Sequence, residues 1–176
     1  MKTWTIDSDH SVAAFSIRYL MLAKIRGQCN KMKGMIRFDP ADISGSSVEV
    51  TFDVAGVTTG IKKRDEHLMS GDFFDVKKYP AVTFKSTAAE KTGVNSCKVT
   101  GNLTIHGVTR PVAFEADFVG PAKSPMGGEL SMGFMARTVI NREDFGMTWN
   151  EPMEGGGLML AKDVEITLDV EADLAE

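Results

Sequence analysis

The chain holds only two cysteines, Cys29 and Cys97, in 176 residues. They form no C-x-x-C pair and no zinc-ligand spacing. Thiols so placed commonly serve as small apolar fillers, although sequence leaves a disulfide between them open. Histidines number three, His10, His67 and His106, and none sits in a zinc motif, so no metal is expected. Haem would need an axial His or Met in a roomy pocket, and nothing in the sequence selects one. No apolar run approaches the roughly 20 residues that cross a bilayer as a helix. The start, Met1-Lys2-Thr3-Trp4-Thr5-Ile6-Asp7, has no apolar signal-peptide core before Asp7, Asp9 and His10 arrive. The expectation for the chain as written is the cytoplasm, or the periplasm if a leader has been removed. Nucleic acid is not an expected partner, because 20 Lys and Arg against 24 Asp and Glu give a net charge of −4.

Catalytic motifs are scarce as well. No G-x-S-x-G is present. Asp144-Phe145-Gly146 spells the kinase metal motif but lacks the Gly-rich loop and the His-Arg-Asp that would support it. His10-Ser11 beside Asp7 and Asp9 suggests a triad, yet neighbours on a strand point to opposite faces. The chain is therefore not expected to be an enzyme.

What the sequence does have is alternation. In Val48-Glu49-Val50-Thr51-Phe52-Asp53-Val54, apolar residues face one way and polar residues the other, as a half-wet strand requires. The pattern recurs at Val99, Leu103 and Ile105, at Val112, Phe114, Ala116 and Phe118, and at Val164, Ile166, Leu168 and Val170. Weaker candidates are Thr3–Asp7, Val12–Tyr19, Ile25–Asn30, Met35–Asp39, Pro80–Ala88 and Leu130–Asn141. His106-Gly107 between two runs reads as a tight hairpin. The period breaks between Thr59 and Tyr79, where a short helix with Ile61, Arg64 and Leu68 on one face is expected. A second helical turn is expected near Leu20–Lys24.

Apolar faces on antiparallel strands are hidden by closing a barrel or by stacking two sheets. With no long amphipathic helix to cover an open sheet, a single domain over residues 1–176 is expected. A barrel of about eight strands has room for side chains or for one slim ligand. Gly101, Ala116, Ala136 and Ala172 at inward positions suggest unfilled volume, and eleven Met suit a cavity that adapts to a flexible guest. Periodicity alone leaves the cavity and the solid core equally open.

Particular segments then become recognisable. They are Trp4-x-Ile6-Asp7-x-x-His10-Ser11 with Phe15 and Ile17; Arg64-Asp65-x-His67-Leu68-x-Ser70-x-Asp72-Phe73-Phe74-Asp75 through Tyr79-Pro80 to Phe84; Gly101-x-Leu103-Thr104-Ile105-His106-Gly107; and Ile140-x-Arg142-x-Asp144-Phe145-Gly146. Occurring in this order over nearly the whole chain, they resemble the YceI-like family. Tyr19-Leu20 stands where that family often has His-Leu. The resemblance implies an all-β, lipocalin-like, antiparallel eight-stranded barrel with one or two short helices. It implies a tunnel for a long amphiphile, an isoprenoid such as a polyprenyl phosphate or a quinone, with no other cofactor required. Binding, sequestering or carrying such a lipid is the expected function; a protein-interaction module using the barrel exterior, or a lipid-modifying enzyme, are the alternatives. A homodimer is compatible with either.

The expected lining is Phe15, Ile17, Tyr19, Val50, Phe52, Phe84, Leu103, Phe114, Phe134 and Leu168. Arg64, Asp65, His67 and Arg142 are candidates for a polar rim, where Arg pairs with a phosphate and His donates to a quinone carbonyl. The competing reading has Arg64 and Asp65 tie loop backbone, Arg142 pair with Asp144 across a turn, and Phe73 and Phe74 plug one end between capping aspartates.

Overall fold

The computed structural model describes residues 1–175. Its strands are β1 (Lys2–Tyr19), β2 (Ala23–Cys29), β3 (Met32–Phe38), β4 (Ser47–Asp53), β5 (Ala81–Lys91), β6 (Ser96–Ile105), β7 (Val108–Lys123), β8 (Leu130–Asn141) and β9 (Leu160–Leu174). All pair antiparallel with their neighbours, and β1 pairs with β9, so the sheet closes on itself. Strands β2 and β3 lie end to end along β1, against Ala13–Tyr19 and Lys2–Thr5 respectively. The nine strands thus form the eight staves of a closed barrel. Among the described residues one α-helix is present, α1 (Lys62–Met69).

Strand β1 needs a correction of phase. Trp4 and Ile6 are buried, yet further along Phe15, Ile17 and Tyr19 border the interior, a switch from even to odd positions. A bulge between Asp7 and Val12 absorbs the change, as two-residue alternation demands. Buried Ser11 repairs the interrupted ladder: its Oγ donates to the Glu171 carbonyl at 3.2 Å and accepts from the Glu171 N–H at 3.0 Å. The bulge also puts Asp7 and His10 on the same side, with Nδ1 of His10 2.6 Å from Asp7 Oδ2. Strict alternation had excluded that pairing. Ser11 points elsewhere, so the three form no triad.

One end of the barrel is packed shut. Trp4, Phe38, Ile43, Phe118, Met132 and Ala172 are buried there. The Phe38 ring meets Phe118 and Phe134 edge-on at 4.8 and 5.2 Å. Edge-to-face pairs fill a tapering space without placing like-charged faces together. Ala172 is wholly buried among these groups rather than beside open volume. Gly101 also differs from expectation. A Cβ built there would come within 2.6 Å of Phe84 Cζ and 2.5 Å of the Lys85 carbonyl, so the Phe84 ring already occupies the space.

The turn at Leu20–Leu22 is a hairpin, not helical. Leu20 and Met21 take φ of 53° and 58°, and the Leu22 N–H donates to the Tyr19 carbonyl at 3.0 Å, so three residues join the paired Tyr19 and Ala23. At the second tight hairpin, His106 and Gly107 have φ of 52° and 72°, and a Cβ on Gly107 would meet the Tyr79 ring at 2.5 Å.

Gly101→Ala should lower stability by about 1–3 kcal/mol, because two of its three clashes are with backbone. Urea unfolding measures this as a lower midpoint at unchanged slope.

Candidate functional site

Above the packed end the staves enclose a cavity of about 390 Å³, within the rough 300–1,000 Å³ range of small-molecule sites. It runs from the level of Phe38, Cys97 and Phe134 to a cap made by α1, the turn after it and the Met147–Met159 loop. The walls are almost wholly apolar. Phe15, Ile17 and Tyr19 reach it from β1, Val50 and Phe52 from β4, and Phe84 from β5. Leu103, Phe114, Phe134 and Leu168 reach it from β6, β7, β8 and β9. Strand alternation is the reason: each takes every second place on its stave. Phe84 on β5 and Phe114 on β7 pack edge-on at 5.1 Å, reaching over the intervening β6.

Both cysteines are free and border the cavity. Burial pushes each thiol's pKa up, so both stay protonated and behave as wall atoms. Ala116 and Ala136 also border the cavity.

The capped end carries the polar groups. His67 Nε2 lies 2.7 Å from Asp72 Oδ2, and the ring meets Phe73 at 5.0 Å and Trp149 at 4.7 Å. His67, Phe73 and Trp149 thus form an aromatic cover over the cavity. Phe73 and Phe74 both border the cavity, so the plug is real, but the aspartates do not cap it as expected: Asp72 binds His67 and Asp75 pairs with Lys78 at 3.3 Å. Trp149 is a cavity residue that the sequence did not single out. It lies in a loop without strand periodicity, and its only signal was being one of two tryptophans.

Arg64 and Asp65 both hold the strap before α1. Arg64 donates from Nε to Thr59 Oγ1 at 2.7 Å and from Nη2 to the Thr59 carbonyl at 3.0 Å. Asp65 accepts from Thr58 Oγ1 at 2.8 Å and from the Thr59 N–H at 2.8 Å. Arg64 and Leu68 border the cavity; Asp65 does not, and Ile61 faces solvent instead of sharing their inward side. The helix lacks a side-chain cap at Ile61, so these bonds anchor its first turn. Burial alone would raise the Asp65 carboxyl, but the donors from Thr59 and Thr58 outweigh it and hold the pKa below the usual carboxylate range.

Arg142 follows β8 and is 2% exposed. It does not pair with Asp144. Its Nε donates to the Ala161 carbonyl at 2.9 Å, and Nη1 to the carbonyls of Met147 and Trp149 at 2.6 and 2.9 Å. It therefore clamps the loop that carries Trp149 to the start of β9 while bordering the cavity.

Outside the barrel, Asp7, His10 and Glu171 bring three ligand atoms within 4.8 Å of one another, the one such group among the described residues. None of the three borders the cavity.

Asp65→Ala should lower the melting temperature at neutral pH. The sign follows from the lowered pKa: the carboxylate's contribution is present above about pH 4 and is lost as pH falls through the folded-state value. The gap between variant and parent should close on acidification, as read by thermal melts across pH.

The chain matches known proteins along most or all of its length. The family model for the YceI-like domain covers residues 4–172. A UPF0312 protein of Staphylococcus aureus is 35% identical over 176 residues, covering 100% of both chains. Among solved structures, BcnA of Burkholderia cenocepacia has a TM-score of 0.83 at 26% identity, covering 94% of this chain and 98% of its own. The Campylobacter jejuni YceI protein has a TM-score of 0.78 at 33% identity over 90% of each chain. A polyisoprenoid binding domain from Saccharophagus degradans, implicated in plant cell wall breakdown, shares the fold with a TM-score of 0.73 at 13% identity, covering 99% of this chain and 100% of its own. Sequence identity across full lengths, the ordered motifs and the barrel agree: this chain belongs to the YceI-like domain family.

Proposed function

We propose that the protein binds and carries one long-chain isoprenoid amphiphile, tail in the barrel and head group beneath the aromatic cap. The cavity itself is the observation that carries this reading. Its walls offer water almost no hydrogen-bond partners, and an ordered water needs two to four. Hydrocarbon has no such need. Each buried CH₂ contributes about 0.8 kcal/mol, so a few isoprene units suffice for firm binding. A branched, flexible chain suits a long space walled by Phe, Val, Ile and Leu. The solved relative named as a polyisoprenoid binding domain lends support through shared fold.

The ten lining residues named from sequence then act as tail contacts, and Arg64, His67 and Arg142 lie where a head group would rest. Asp65 serves the strap rather than the ligand.

Catalysis has less support. Both cavity thiols are held protonated by burial, and Asp72 engages the histidine that borders the cavity. A docking patch built on Lys62-Lys63-Arg64 also has less support, because Arg64 bonds Thr59 and Lys62 lies 3.9 Å from Glu66.

Replacing Phe114 with Trp, or Leu103 with Trp, puts extra ring volume into the cavity. Overpacking of this kind costs about 1–3 kcal/mol, so affinity for a polyprenol or a quinone should fall roughly ten- to a hundredfold while circular dichroism stays that of the parent. Unchanged affinity in both variants overturns the lining assignment.

A further inference from the structure

We infer that the tip of the β1–β2 hairpin docks the barrel on an anionic lipid bilayer, with Met21 and Leu22 entering the membrane and Arg18 and Arg26 meeting its head groups. This goes beyond the isoprenoid reading of the cavity and builds on it, since such a cargo dissolves in membranes rather than in water.

The tip carries side chains that the fold does not ask for. Met21 is 67% exposed and Leu22 83%. Leu20 and Met21 hold positive φ, where Asn or Gly is the ordinary choice in a hairpin turn. Neither burial nor backbone conformation therefore selects large apolar groups here. Single exposed apolar residues are common on any surface; two in succession at the end of a projecting turn form a wedge.

Charge around the wedge has one sign. Acids outnumber bases 24 to 20 in the whole chain, yet from Ser11 to Phe38 there are six Lys and Arg and no Asp or Glu. Arg18 and Arg26 alternate with the inward Ile17, Tyr19 and Ile25, so both face outward, and both are exposed. Among the described residues neither makes an ion pair or a side-chain hydrogen bond. Arg18 also stands directly opposite Lys24 in the ladder, a like-charge pair that costs the sheet stability. Glu165 on β9 answers Lys24, at 2.7 Å, and leaves both arginines free. An apolar wedge ringed by bases is what an interfacial anchor needs: area to bury, and attraction to anionic lipid. The acidic Glu151 and Glu154 lie on the Met147–Met159 loop, so the hairpin flank is the one that suits a negative surface.

The hairpin also stands at the right end of the barrel. Tyr19 pairs with Leu160, and the Leu20 N–H donates to the Met159 carbonyl at 2.8 Å, which joins the tip to the cap. Beyond it, the far edge of β2 is bridged to the strap at Gln28 and Thr58. Tyr19 and Ile25 border both the cavity and an outer groove shared with Thr59. The seam between β2 and the strap is thus where inside and outside meet, and a docked hairpin lays it against the lipid.

The test is flotation with vesicles of phosphatidylcholine alone and of phosphatidylcholine and phosphatidylglycerol in equal parts. The parent should bind the mixed vesicles at least roughly tenfold more strongly, and added salt should erase the difference. Met21→Ser with Leu22→Ser should weaken binding to the mixed vesicles roughly ten- to a hundredfold. Arg18→Gln with Arg26→Gln should bring the two vesicle types within severalfold of each other. None of the four residues borders the cavity, so affinity for geranylgeraniol, read by tryptophan fluorescence, should match the parent in both double variants. A parent that takes up geranylgeraniol but ignores mixed vesicles overturns the docking and leaves the isoprenoid reading standing. Vesicle binding that survives both double variants overturns it too, as does a dimer that the tip variant splits while vesicle binding is unchanged, because the tip then serves a second copy. Hairpin-dependent vesicle binding without uptake of geranylgeraniol supports the docking and removes the isoprenoid reading.

Discussion

The structure depends on a geometric mismatch. Eight staves closing into a ring set a bore that alternate side chains can fill only where they are large and where the ring tapers. At one end Trp4, Phe38, Phe118 and Met132 meet and leave no room. Farther along, Ala116 and Ala136 alternate with Val, Leu and Phe, and the opposing walls do not touch. The result is a blind apolar chamber built from the same residues that hold the barrel together. The lining cannot then be altered freely: each wall residue packs its neighbours on one side and faces the chamber on the other.

The capped end follows a different logic. No strand covers it, so short-range polar bonds do. Thr58 and Thr59 are tied by Arg64 and Asp65, the Trp149 loop is tied by Arg142, and the aromatic cover rests on His67 held by Asp72. Arginine can grip several carbonyls at once because its donors fan out in a fixed plane. Using a cation for this task buries a positive charge next to hydrocarbon. Three carbonyl bonds from one side chain hold the loop that carries Trp149 against the start of β9.

Much of the wall was legible in the sequence because period two is a direct consequence of strand geometry. Val50 and Phe52, Leu103, Phe114 and Leu168 each sit in a run whose polar partners face solvent, so their side of the sheet could be read without knowing the fold. Strand β1 was harder. Its bulge changes phase midway, and no local signal marks where Asp7 to Val12 leaves the ladder. The helical turn expected near Leu20–Lys24 does not form, because strand pairing on either side holds the backbone of Leu20 and Met21 in the left-handed region. The order of four motifs points to what periodicity leaves open, a tunnel rather than a solid core.

The capped end was only partly legible. Arg64 and His67 stood out by chemistry, but which of them faces inward depends on the strap, and Asp65 turned out to belong to that strap. Trp149 lies in a loop with no period, and nothing in its neighbourhood says that it covers a chamber. Arg142 looks in sequence like half of an ion pair with Asp144; the carbonyls of Met147, Trp149 and Ala161 take its donors instead. Backbone acceptors in an aperiodic loop leave no mark on the side-chain pattern. The most direct measurement is denaturing extraction of the purified protein followed by mass spectrometry. The account predicts about one long-chain amphiphile per chain, with several isoprene units. A folded protein that yields no lipid, and takes none from vesicles containing polyprenyl phosphate, contradicts it.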